Sequence, residues 1–171
     1  DPFLLKDMDK AVARILAAIT ASEKILVFAD YDADGVPAAV VLTEFFRQIK
    51  FTNFSVYIPD RHEEEHGLSL EVVEQAAKDQ VNLIITVDCG ITNVSEAARA
   101  HKLGVGVIIT DHHLPGEKLP KAAAVVDPKR KDDKYPFKGL AGTGVAFKLA
   151  QALVISWNEK APTEAKISSS W

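Results

Sequence analysis

Five short apolar runs punctuate the chain, and amphipathic stretches separate them. The runs are Lys24–Ala29, Phe54–Ile58, Val81–Val87, Val105–Thr110 and Ala123–Val126. Each has strand length, and apolar residues fill successive positions, the pattern of a strand buried on both faces. Between them the spacing turns helical. Asp9–Thr20 carries Val12, Ile15, Leu16 and Ile19, with Asp7 or Asp9 as the cap. Val36–Ile49 places Val40, Val41, Phe45 and Ile49 on or near one face, and Pro37 sits in the first turn, where a missing N–H is harmless. Further helices are expected from Ser69 (an N-cap) to Lys78, from a cap at Asn93 to about Lys102, and from about Gly144 to Trp157. Strands that alternate with helices predict an α/β fold: a doubly wound, mainly parallel five-stranded sheet with helices on both faces.

Polar clusters follow three of the strands: DYDADG after the first, DCG after the third and DHH after the fourth. In a parallel sheet all three reach the carboxyl edge, where ligands of such folds bind. Asp30, Asp32 and Asp34 stand at alternate positions, and clustered carboxylates repel unless a hard cation joins them. The two-residue spacing can turn Asp32 and Asp34 the same way. Asp88 adds a third carboxylate, and His112 and His113 add imidazoles. This donor set suits Mn²⁺ first, then Mg²⁺ or Zn²⁺. Two such ions ~4 Å apart polarise a phosphoryl group, so hydrolysis of a phosphate ester or anhydride is the reaction class expected. Asp30 is either a direct ligand or a residue that only holds the turn. Asp111 is expected behind the ligands, fixing a histidine tautomer. A calcium loop is excluded, because the twelfth position from Asp30 is Val41 rather than an acid.

Composition narrows the setting. A chain of 171 residues with 47% hydrophobic and 26% charged residues reads as one soluble globular domain or slightly less. Cys89 is the single cysteine, so no intrachain disulfide exists, which suits a reducing cytoplasm. No run reaches the ~18 apolar residues of a membrane span. The charged, amphipathic N-terminal segment does not read as a secretory signal. The net charge of −4 argues weakly against nonspecific nucleic-acid binding, although bound cations would cancel part of the acidic cluster. The chain begins at Asp1-Pro2 and stops in a polar tail, so both ends read as cut. Residues 1–157 are expected to form the domain, and 158–171 a polar tail or the start of a continuation. Cys89 is expected buried, and His62, His66 and His101 on the surface.

DYDADG, VDCGIT and TDHH, in this order on successive strands, resemble the DHH phosphoesterase family. DPFLLKDMDKAV near the start, IPDR with HGL after the second strand, and GLAGTGVAFKLAQAL near the end are similar to its RecJ-type branch of single-strand-specific exonucleases. The resemblance covers nearly the whole chain. It implies a metal-dependent nuclease, Mn²⁺- or Mg²⁺-activated with two ions, that degrades single-stranded DNA from the 5′ end in repair and recombination. By motif position Asp32, Asp34, Asp88, His112 and His113 are the implied ligands and catalytic residues. Two departures stand out. Phe28 occupies a place where many members have a histidine, and the chain ends before the family's fourth motif with its further aspartate. The DHHA1-type and oligonucleotide-binding domains of the branch are likewise expected in the parent protein, beyond this catalytic domain, and the domain alone is expected to cleave DNA poorly. Two alternatives are a hydrolase of small phosphates (pyrophosphate, cyclic dinucleotides, nanoRNA) and a noncatalytic binding module of the same fold.

Secondary sites flank the motifs. Arg61 can fork onto a phosphate or pair with Glu63–Glu65. Gly142, Thr143 and Gly144 open a helix near the strand edge, where free N–H groups can hold a phosphate; the alternative is a tight helix entry that uses glycine's backbone freedom. Lys129, Arg130, Lys131 and Lys134 form a basic loop that either tracks a nucleic-acid backbone or is merely solvated.

Overall fold

The computed structural model describes residues 1–62 and 67–168. Five strands, β1 (Ile25–Ala29), β2 (Phe54–Tyr57), β3 (Leu83–Val87), β4 (Gly106–Thr110) and β5 (Ala124–Val126), form one sheet in the order β2-β1-β3-β4-β5. Every pairing is parallel. Five helices surround it: α1 (Met8–Thr20), α2 (Gly35–Gln48), α3 (Leu70–Lys78), α4 (Val94–Lys102) and α5 (Gly142–Lys160). Among the described residues no helix is long and apolar enough to cross a membrane.

Alternation along each strand splits the core in two. Ile25, Val27 and Ala29 of β1, with Leu83, Ile85 and Val87 of β3, pack under α1, α2 and α5. Leu26 and Phe28, with Ile84 of β3 and Val107 and Ile109 of β4, pack under α3 and α4. Both strand faces are therefore apolar. Phe28 spends its ring in this second layer, stacked on Tyr57 at 5.7 Å.

The helix faces depart from expectation in places. α2 buries Ala38, Ala39, Leu42, Phe45 and Phe46, whereas Val40 is 55% exposed. The buried residues recur at three- and four-residue spacing, and Val40 falls outside that stripe. Asp7 stands at the start of α1 without capping it; its carboxylate instead takes Lys10 and Arg130. Ser69 does cap α3 through Val72 N–H, but the Asn93 amide leaves α4 and bridges the backbone of Leu68. α5 starts at Gly142 and runs to Lys160. Asn158 pairs with both backbone groups of Ile167, and Ile167 is buried in the core.

Two features of the sheet place the site. The chain leaves β1 for β2 on one side and β3 on the other, so an opening forms between the carboxyl ends of β1 and β3. The register also aligns Ala29, Val87, Thr110 and Val126. Each of these is followed by an aspartate: Asp30, Asp88, Asp111 and Asp127. A row of four buried carboxyl groups lies across the sheet edge as a result.

Candidate metal centre

The first aspartate loop is held from within. Asp30 is buried, and its Oδ1 accepts the N–H of Tyr31 at 2.7 Å. Asp32 Oδ1 accepts the N–H groups of Asp34 (2.8 Å) and Gly35 (2.9 Å), which ties the loop to the first turn of α2. A Cβ at Gly35 would lie 2.5 Å from the Asp30 carbonyl oxygen, so this tight turn requires glycine. Asp34 reaches across to the start of α5. Its carboxylate accepts the N–H of Gly142 (2.6 Å), the N–H of Thr143 (2.7 Å) and the Thr143 hydroxyl, which also lies 2.7 Å from the Asp34 carbonyl oxygen. Burial alone would push this carboxyl up. The Thr143 and Gly142 donors outweigh burial and hold it below its ordinary value. The N–H groups of Gly142 and Thr143, read from sequence as a phosphate cradle, are thus committed to a carboxylate. Gly144 lies one residue further into α5, with Leu140 packed against it.

Asp88 is the most perturbed member of the row. It sits 1% exposed in the left-handed region at φ 63°. Two buried hydroxyls fix the turn around it: Thr86 Oγ1 donates to the Cys89 carbonyl and Thr110 Oγ1 to the Thr86 carbonyl, each at 2.7 Å. Among the described residues Asp88 Oδ1 has no hydrogen-bond partner, and it lies 3.2 Å from His112 Nε2. The other ring nitrogen, Nδ1, is 3.1 Å from the Leu140 carbonyl. A carbonyl only accepts, so Nδ1 points its proton at Leu140 and Nε2 is the ring nitrogen turned toward Asp88. A carboxyl oxygen and a ring nitrogen at this distance can share a proton or a cation between them. Burial, followed by the charges of Asp34, Asp32, Asp111 and Asp30, raises Asp88 to about 8. α5 presses on the same group: a Cβ at Gly142 would fall 1.9 Å from Asp88 Oδ1.

Asp111 organises the third turn. Its Oδ1 accepts the N–H groups of His112 (2.7 Å) and His113 (3.1 Å), and its Oδ2 accepts that of Ile91 (2.9 Å). The same Oδ1 lies 2.7 Å from His113 Nδ1. A carboxylate acceptor there draws a proton onto His113 Nδ1 and fixes the ring's orientation. Asp127, wholly buried, completes the row. Its Oδ1 accepts the Lys129 N–H at 2.7 Å, while Oδ2 has no partner among the described residues. Burial raises it to about 7, against the pull of the Lys129 N–H and with a further push from Asp111. Sequence reasoning passed over Asp127, although it follows its strand as the other three aspartates follow theirs.

Among the described residues two groups each offer three ligand atoms within 4.8 Å of one another: Asp30, Asp32 and Asp88, and Asp88, His112 and His113. Asp88 belongs to both. Asp34 stands at the rim, with Oδ2 3.9 Å from His112 Nε2. Arg61 is exposed and rests its guanidinium over Tyr31, 5.3 Å from the ring centroid, between Asp30 and Asp32 in sequence. Its expected partners Glu63–Glu65, and His66, lie outside the described residues. Arg130 is withdrawn from the basic loop. It is buried and spends its guanidinium on Asp7, Asp132 and the Val125 carbonyl. The donor set of carboxylate oxygens and imidazole nitrogens, with a buried unsatisfied oxygen at its centre, fits a divalent cation.

A doubly wound parallel sheet whose switch point gathers these groups defines an α/β protein with a candidate divalent-metal centre. Residues 24–169 match the DHH family, N-terminal domain, and the chain belongs to that family. It is 47% identical over 154 residues to the single-stranded-DNA-specific exonuclease RecJ of Bacillus subtilis (strain 168), covering 90% of this chain and 20% of the relative. The corresponding exonuclease of Escherichia coli (strain K12) is 42% identical over 149 residues, covering 87% of this chain and 26% of the relative. Among solved structures, exonuclease RecJ bound to manganese superposes with a TM-score of 0.81 at 35% identity, covering 92% of this chain and 39% of that one. RecJ of Thermus thermophilus in complex with Mn²⁺ gives 0.75 at 33% identity, covering 94% and 22%. The chain therefore spans about a fifth to a quarter of the length of these curated relatives.

Proposed function

We propose that this chain is the metal-binding catalytic domain of a single-strand-specific DNA exonuclease, working from the 5′ end in a cytoplasmic repair or recombination pathway. The observation that carries the reading is Asp88, which among the described residues is shared by two three-ligand groups and is buried with an oxygen that no donor satisfies. Asp30, Asp32 and Asp88 would hold one cation, and Asp88, His112 and His113 a second, with Mn²⁺ or Mg²⁺ as the ions. Asp34 joins them from the rim. Divalent cations there supply Lewis-acid chemistry, polarising a phosphodiester and stabilising the charge that develops as it breaks.

The chain's own residues do the rest by positioning. Asp111 aims the His113 ring, and the Leu140 carbonyl aims that of His112. Thr143 and Gly142 clamp Asp34, which fixes α5 against the loop. Arg61, held over Tyr31, supplies a guanidinium for a phosphate next to the acidic loop. The full-length protein provides the DHHA1-type and oligonucleotide-binding domains and the further aspartate of the fourth motif. The relatives' names and the manganese-bound neighbours support this reading over small-phosphate hydrolysis.

The test is made in the full-length protein. Asp88→Asn and His112→Ala are each expected to abolish Mn²⁺-dependent release of nucleotides from 5′-ended single strands. Full activity in either variant overturns the assignment. Faster turnover of pyrophosphate or dinucleotides than of long strands would favour the small-phosphate reading.

A further inference from the structure

We infer that the two loops beyond the histidines, residues 114–121 and 128–138, form a binding surface for single-stranded polynucleotide beside the metal centre. The inference rests on the nuclease reading above and assigns part of its substrate path. The two loops wall a cavity of about 680 Å³, lined by Leu114, Leu119, Lys129, Lys131 and Glu117 among others. A cavity of this size is ample for a nucleotide. It opens next to His113, because Leu114 follows that residue directly.

The charge of this region opposes that of the chain. Residues 114–140 hold seven basic and four acidic side chains, in a protein with a net charge of −4. The acids are largely paired or buried, although Asp132 also lines the cavity. Asp132 pairs with Arg130 and Lys6, Asp133 pairs with Lys138, and Asp127 is buried. By contrast, none of Lys118, Lys121, Lys129, Lys131 and Lys134 forms an ion pair among the described residues. Glu117 remains as an acidic group on the cavity rim. The loops thus present ammonium groups that form no ion pair among the described residues, in a segment with more basic than acidic side chains, and such groups suit a phosphate backbone.

Apolar side chains stand among these lysines. Leu114 is 77% exposed, Phe137 60% and Leu119 39%. Three large apolar residues left in water within two adjoining loops suit contact with base faces, and the lysines suit the phosphates between them. Arg130 anchors the arrangement from below: its bonds to Asp7, Asp132 and Val125 tie the second loop to α1 and β5. The surface is therefore preformed rather than assembled by the ligand.

Fluorescence anisotropy with labelled oligo(dT)12, in EDTA so that no cleavage occurs, tests this on the 171-residue chain and on the full-length protein. Lys129→Gln/Lys131→Gln is expected to weaken binding at least tenfold. It should also lower the slope of log K against log salt by about 1.4, two phosphate contacts on a single strand. Leu114→Ser should weaken binding with the salt slope unchanged, since an apolar contact releases no counterions. The control Lys78→Gln/Lys102→Gln removes the same charge from helix ends that feed the opposite sheet edge, and should bind as the parent does. Equal losses in the control and the test pair, or no loss in the test pair, overturn the inference. Mn²⁺-dependent hydrolysis of bis(p-nitrophenyl) phosphate by the full-length protein separates the two readings. If it fails while oligo(dT)12 binding still depends on Lys129 and Lys131, the nuclease reading falls and the surface stands.

Discussion

Replacing Asp127 by asparagine isolates the cost of ending a buried strand in a carboxyl group. Asp127 is wholly buried, and burial raises it to about 7 from an ordinary 3.8. The unfolded chain loses this proton as pH rises through about 4, whereas the folded chain keeps it until about 7. Between those values the folded state binds more protons, so stability falls with rising pH and levels off above 7. At about 1.36 kcal/mol for each tenfold shift in proton affinity, the full penalty at pH 8 is about 4 kcal/mol, and relaxation of the site lowers it toward about 2. Asp127→Asn removes the charge and keeps the shape and the acceptor for the Lys129 N–H. Urea denaturation in EDTA should give a variant within about 1 kcal/mol of the parent at pH 4 and about 2–4 kcal/mol more stable at pH 8. In thermal melts this is about 2–4 °C for each kcal/mol. Taking the difference between the two proteins cancels the similar contribution of Asp88. A difference that stays flat between pH 4 and 8, or grows toward acid, would refute the argument.

Other consequences can be measured directly. Because Asp88 is held near 8, a divalent ion that binds at pH 7 should displace its proton. Calorimetric Mn²⁺ titrations in buffers of different ionisation enthalpy should show about one proton released, and Asp88→Asn should show neither the proton nor tight binding. Gly142→Ala drives a methyl group into Asp88 Oδ1, so Mn²⁺ affinity should drop and stability should fall by about 1–3 kcal/mol in urea titrations. Thr143→Val removes one of the three donors that clamp Asp34 and should cost about 1 kcal/mol, with the Asp34 carboxyl titrating higher by carbon-13 NMR. Arg130→Met leaves Asp7 without its buried partner and should destabilise the chain by about 3 kcal/mol in the same denaturation assay.

Much of the architecture was legible because strands buried on both faces leave an unmistakable apolar run. All five strands and five helices stand where the periodicity put them, within a few residues. Misplaced details share one cause: a side chain's partner came from a distant element. The sequence offers Asn93 as a cap, but Leu68 takes its amide, and it offers Arg130 as part of an open basic loop, but Asp7 draws it inward. Val40 fits one helical stripe, yet the stripe that α2 buries is the one through Ala38, Leu42 and Phe45, which packs on the sheet and α5.

The same division runs through the candidate site. Sequence alone determined which chemistry is available, since an aspartate or histidine after a strand must come to the carboxyl edge of a parallel sheet. Order along the chain could not decide how these groups divide their labour. Register made Asp127 a fourth member of the row, and the packing of α5 took Asp34 into a helix cap. The Leu140 carbonyl turned His112 Nε2 toward the buried Asp88. Such assignments depend on distances of a few ångströms between residues separated by tens of positions, and only the folded chain sets those distances.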